Sequence, residues 1–126
     1  MKGLKDLTRI AEQDGRYRLE AYIFVLKALD YTRKLLKKER HITGEELLEG
    51  IRKLAIHHYG LMAKAVLAHW GIQKTQDFGN IVFSMVNANI LSKTDEDDIH
   101  DFEGVYDFND AFVTSYTFHI REPYEY

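Results

Sequence analysis

The chain contains no cysteine. That excludes a disulfide framework, a thiolate metal site and a cysteine nucleophile. Proline occurs once, as Pro123 in the closing REPYEY, and residues 118–126 read as a loose tail. No apolar run approaches the ~18 residues of a membrane span. The opening MKGLKDLTRIAEQDGR carries charges every few residues and has no apolar h-region, which argues against a signal peptide. The expectation is a soluble, cytoplasmic protein with no membrane partner.

Catalytic motifs are equally scarce. There is no phosphate-cradling Gly-rich loop, no GxSxG elbow and no kinase set. HExxH is absent, and no Glu-x-x-His spacing exists to build a dinuclear carboxylate site in a bundle. Ser84, Ser92 and Ser115 have no base partner nearby in sequence. No catalytic residue, metal or cofactor is therefore assigned, and a non-enzyme is the favoured reading. Acid–base chemistry by residues that meet only in three dimensions stays open.

What is present is ordinary in amount and uneven in placement. The 126 residues, 45% apolar and 29% charged, are enough for one domain with its own core. Residues 1–40 hold eleven Lys/Arg against six Asp/Glu, whereas residues 94–126 hold one against ten. The two ends can attract each other within one fold or between molecules, or remain solvated faces.

Leu4, Leu7, Ile10 and Ala11 recur at helical spacing, and Asp14-Gly15 signals the end of a first helix. A long second helix runs from about Tyr17 to Lys38, with Ala21, Tyr22, Val25, Ala28, Leu29, Leu35 and Leu36 on its apolar face. Thr43-Gly44-Glu45-Glu46 is a capping box, with Ile42 placed to staple onto Leu47. The helix it starts carries Leu47, Ile51, Leu54, Ala55 and His58 on one side, with His58 at the core edge, and ends at Gly60 or continues through it as one kinked helix. From Leu61 to Trp70 only Lys64 and His69 are strongly polar, which predicts burial on most sides. Thr75 reads as the N-cap of the next helix, with Asp77 in its first turn and Phe78, Ile81, Val82, Met85 and Val86 as its stripe.

That stretch from Leu61 to Leu91 is expected to be the floor of the core. The row Asn80, Ser84, Asn87 carries no charge, so it should pack near another helix, within the monomer or across a dimer, with the monomer favoured. Ile90–Lys93 and Ile99–Tyr106 can pair as a hairpin about an acidic turn, or stay an unpaired loop. Asp107 can cap a last helix carrying Phe108, Phe112 and Tyr116. The expected fold is mostly α: a compact single-domain helical bundle of about five helices over residues 1–126. The optional hairpin would sit in the acidic, aromatic-rich C-terminal segment, in winged-helix-like order.

Three sites compete. Asp101, Phe102, Val105, Tyr106, Asp107 and Phe108 are the contact candidates for an unknown protein partner or for self-association; core packing is the competing role of their aromatics. Arg33, Lys34, Lys37, Lys38 and Arg40 form a basic patch that suits the negative end of the second helix or a phosphate. Nucleic acid is disfavoured, because Gln76–Ile90 as a recognition helix has no Lys or Arg and the wing would be acidic. The third site is a pocket near His57, His58 and the acidic loop, holding a small ligand or a reaction. Metal chemistry there is weak: an EF-hand counted from Asp95 meets His100 at the glycine position and Tyr106 at the glutamate position. His57 and His58 point about 100° apart, and His69 and His100 would have to join them from elsewhere.

The segments DGRYRLEAYIFVLKAL, HITGEELLEGIRKLAIHHYG, HWGIQKTQDFGNIVF and DFEGVYDFNDAF resemble a bacterial family of small helical proteins from planctomycetes and verrucomicrobia. The resemblance runs from about Leu7 to Phe112. It implies one compact domain and carries over no activity and no catalytic residue. A cytoplasmic protein-interaction or assembly module is the leading expectation.

Overall fold

Thr43 behaves as its place in the sequence predicts. Its hydroxyl accepts the Glu46 N–H at 3.1 Å, and the Glu46 carboxylate accepts the Thr43 N–H at 3.0 Å. Two otherwise unpaired donors are satisfied at once, and a helix starts there. In the computed structural model, which describes residues 2–37, 41–92 and 98–114, five α-helices form: α1 Lys2–Asp14, α2 Leu19–Leu36, α3 Gly44–Tyr59, α4 Ala63–His69 and α5 Thr75–Asn87. The mostly α fold is as the periodicity predicts. Lys38, Arg40, Lys93, the Thr94–Asp97 part of the acidic turn, Ser115, Tyr116 and the tail lie outside the described residues.

The core is built on α2 and α3, which share the most extensive contact in the molecule. Ala21, Val25, Ala28 and Thr32 of α2 are buried at four- and three-residue steps, one stripe of an α-helix. Leu47, Ile51, Leu54 and Ala55 answer from α3. The helices meet at Gly50, where a Cβ would stand 1.8 Å from Thr32 Oγ1. No side chain other than hydrogen fits. Thr32 is buried at that crossing, and its hydroxyl donates to the Ala28 carbonyl at 2.6 Å, so it costs no unsatisfied group.

Helix α5 closes the core with Phe78, Ile81 and Met85, all fully buried. Its start differs by one residue from the sequence reading. Lys74 is the extended residue before the helix, and the Asp77 carboxylate accepts the N–H groups of Gln73 and Lys74 at 2.8 and 3.1 Å. Thr75 is not the cap. It is buried, and its hydroxyl accepts the Val105 N–H at 3.2 Å from the C-terminal segment.

Expectations for the Leu61–Trp70 stretch need correcting. A short 3-10 turn at Gly60–Met62 separates α3 from α4, and only Ala63 and Leu67 of α4 are buried. Leu61 and Met62 are 53% and 61% exposed. The short helix has one turn of contact with the core, so its other faces stay in water. Leu35 and Leu36 are likewise exposed, at the end of α2 rather than in its buried stripe.

Residues 98–114 cross the outside of α3 and α5. Of the two expectations for Ile99–Tyr106, unpaired chain is what forms: Ile99–Phe102 winds into a 3-10 turn, and no strand occurs among the described residues. Phe102 lies flat on α5 at Gly79, where a Cβ would meet the Phe102 Cβ at 2.8 Å. Asp107 then caps as expected, accepting the Asn109 and Asp110 N–H groups at 2.9 and 3.1 Å. The chain turns once more through Asp110–Thr114, wound as a π-helical turn, and buries Phe112 completely.

Candidate functional site

A cleft of about 430 Å³ lies between α2 and the C-terminal half of α5. Val25 and Leu29 of α2, Leu47 of α3 and Val82 and Val86 of α5 line it, with Phe102 at one side. Leu29, Val82 and Val86 are half-buried, so their apolar surface faces the open space. Further wall comes from the 41–44 connection, from Phe83 and the 90–92 segment after α5, and from Asp98 and Asp101. Thr43 and Gly44 are held by the capping box, and Phe102 is held against Gly79, so local structure fixes two walls.

Polar groups at the cleft are few. Arg33 and His41 line it beside Asp98 and Asp101. The basic first third and the acidic last third of the chain therefore meet in one lining. Both carboxylates already serve the turn: Asp98 Oδ1 accepts the His100 N–H at 2.9 Å, and Asp101 Oδ2 accepts the Asp98 N–H at 3.3 Å. Arg33 makes no side-chain hydrogen bond or ion pair among the described residues. A concave, mainly aliphatic space with a handful of polar groups is the usual form of a small-molecule site.

The sequence-predicted residues are distributed otherwise. Phe102 and Phe108 are core residues, 4% and 5% exposed. Phe108 packs between Phe78 at 5.9 Å and Phe112 at 5.0 Å, ring centre to ring centre. Tyr106 is half-buried, and its hydroxyl donates to the Leu48 carbonyl at 2.9 Å. Burial is what chiefly pushes its phenol above the ordinary tyrosine range. Only Asp101, Val105 and Asp107 of that set are exposed.

The basic patch also divides. Lys34 pairs with Asp30 at 2.9 Å, Lys37 takes the left-handed conformation that ends α2, and Arg33 turns to the cleft. Lys38 and Arg40 are outside the described residues.

The histidines do not build the expected pocket. His57, His58 and His69 are exposed, and the first two are neighbours with ring centres 5.4 Å apart. His58 is thus at the rim of α3's covered side rather than within it. It borders a smaller recess of about 340 Å³ with Phe24, Tyr59 and Trp70, whose rings pack on each other at 5.7–6.2 Å. His100 is exposed and pairs with Glu103 at 2.6 Å, a contact that raises its pKa. No three His, Asp or Glu side chains gather into a metal-binding group among the described residues. None of their helices is long and apolar enough to cross a membrane.

The uncharged row of α5 is only partly covered: Asn80 meets the connection between α1 and α2, and Asn87 is exposed. Asn80 donates to the Tyr17 hydroxyl at 2.9 Å, and that hydroxyl donates to Asp77 Oδ1 at 2.6 Å. Ser84 and Asn87 border a polar groove against Arg9 and Gln13 of α1. No family model, curated protein or solved structure matches the chain.

Proposed function

We propose that the protein binds a small, largely apolar molecule in the cleft between α2 and α5. One observation carries the reading: half-buried aliphatic side chains of Leu29, Val82 and Val86 border a concave space of about 430 Å³. Such surface is more stable covered than wet, at ~25 cal/mol per Å² removed from water. The direct test is titration with a neutral fluorescent naphthylamine, which brightens on leaving water. Saturable binding is expected, and Val86→Trp should abolish it while the melting temperature stays near that of the wild type. Absence of saturable binding, or unchanged binding in the variant, would reject the cleft as a site.

A second reading, a protein-contact or assembly surface, is favoured by Leu61 and Met62, exposed side by side on the turn before α4. Two such side chains make a small patch, so a weak contact is the expected consequence. Sedimentation of the wild type against Leu61→Lys tests self-association. Both readings take a cytoplasmic protein.

A further inference from the structure

We infer that the molecule taken by this cleft is an apolar monocarboxylate, its carboxylate held by the Arg33 guanidinium. The inference rests on the cleft being a ligand site, and it adds the chemical class of the ligand. Among the other described arginines, Arg16 pairs with Asp14 at 2.6 Å and Arg52 forks onto Glu49, with its Nε 3.1–3.2 Å from the two oxygens, whereas Arg9 and Arg18 make no such pair and do not line the cleft. Arg33 lines the cleft with no such partner among the described residues. A guanidinium presents parallel N–H donors whose spacing matches a carboxylate, a fit that ammonium groups lack.

The surroundings restrict the charge. The end of α2 carries partial negative charge, but its Arg33 and Lys34 carbonyls already accept the Lys37 N–H, so they are not left seeking a donor. Asp98 and Asp101 stand in the same lining and would repel a dianion about twice as strongly as a monoanion. Their engagement with backbone N–H groups leaves them tied to the turn rather than to Arg33. A phosphate ester is therefore disfavoured, and a single carboxylate on a hydrocarbon body matches both the cation and the aliphatic walls.

Displacement of the naphthylamine by decanoate and by decanol separates the two ideas, because the chains are alike and only the head group differs. Decanoate should bind about tenfold tighter than decanol, the range of one charge-assisted contact near solvent. Arg33→Gln, at an exposed position, should bring decanoate down to decanol and leave decanol unchanged. Equal binding of acid and alcohol to the wild type, or an acid preference that survives Arg33→Gln, overturns the role of Arg33 while the cleft reading stands. Failure of both ligands and of the probe overturns the cleft reading as well. Decyl phosphate binding more tightly than decanoate would overturn the choice of a monoanion.

Discussion

The two ends of α5 have been put to different uses. At its start Asp77, Asn80 and Thr75 all have partners: Asp77 takes two backbone N–H groups and the Tyr17 hydroxyl, Asn80 completes that chain, and Thr75 holds the Val105 N–H. Aromatic rings seal the same end, with Phe78, Phe108, Phe112 and Tyr106 in mutual contact. At its far end Val82 and Val86 face a cleft. The hydrophobic stripe is continuous along the helix, so the difference lies in what the rest of the chain brings to it. Apolar surface that no other described residue covers is the feature that marks a site here.

If the comparison is right, substitutions at the closed end should cost stability and those at the open end should cost binding. The largest effect should come from Phe108→Ala, which removes a ring packed between Phe78 and Phe112 and should destabilise by ~3–5 kcal/mol. Denaturant unfolding measures it; a loss under ~1 kcal/mol would mean the seal is loose.

Next is Gly79→Ala, at the middle of α5. The new methyl would meet Phe102 at 2.8 Å and should cost ~1–3 kcal/mol while pushing Phe102 toward the cleft. Probe binding and melting temperature should fall together in this variant, and a neutral result in both would show that the 98–102 turn yields freely.

Tyr17→Phe should cost ~1 kcal/mol, since Asp77 and Asn80 lose a shared hydroxyl. The same residue gives the pH dependence. Burial chiefly, with help from Asp77 and against the Asn80 donation, pushes the Tyr17 phenol up to about 12, and burial also raises Tyr22 and Tyr106. An unfolded tyrosine ionises near 10. The folded state therefore favours the neutral phenol, and this stability is complete below pH ~10 and lost as pH rises toward 12. Tyrosinate absorbance followed beside helical circular dichroism should show late, coupled transitions. Ionisation of all tyrosines near pH 10 with the helices intact would contradict it.

The smallest effect on stability is expected at the open end. Val86→Ala should change the unfolding free energy by less than ~1 kcal/mol, because the side chain is half-exposed already. Its effect should appear in naphthylamine affinity instead.

Local signals were readable in advance and tertiary ones were not. The Thr43–Glu46 box and the Asp107 cap each involve residues within three positions of one another, so the letters contain the whole interaction. The apolar stripes of α2, α3 and α5 were legible for a similar reason, since helical geometry alone groups them. Periodicity says which face is apolar but not what covers it. Leu61 and Met62 read as inside and are outside, whereas Phe102 and Phe108 read equally as contacts or as core and are core. The cleft was hidden by the same ambiguity: Val82 and Val86 share a stripe with Met85, yet only Met85 is fully covered. Arg33 stood out only as one cation in a run. Its separation from Lys34 depends on Asp30 pairing with the neighbour and on where α5 passes.

The most direct test of the central claim is a methyl NMR titration of the wild-type protein with decanoate. Shifts confined to the cleft lining, Val25, Leu29, Ile42, Leu47, Val82, Val86, Ile90 and Leu91, with the Leu61 and Leu67 methyls unmoved, are what the account predicts. Perturbation centred on Leu61 and Met62, or spread evenly over the core, would contradict it.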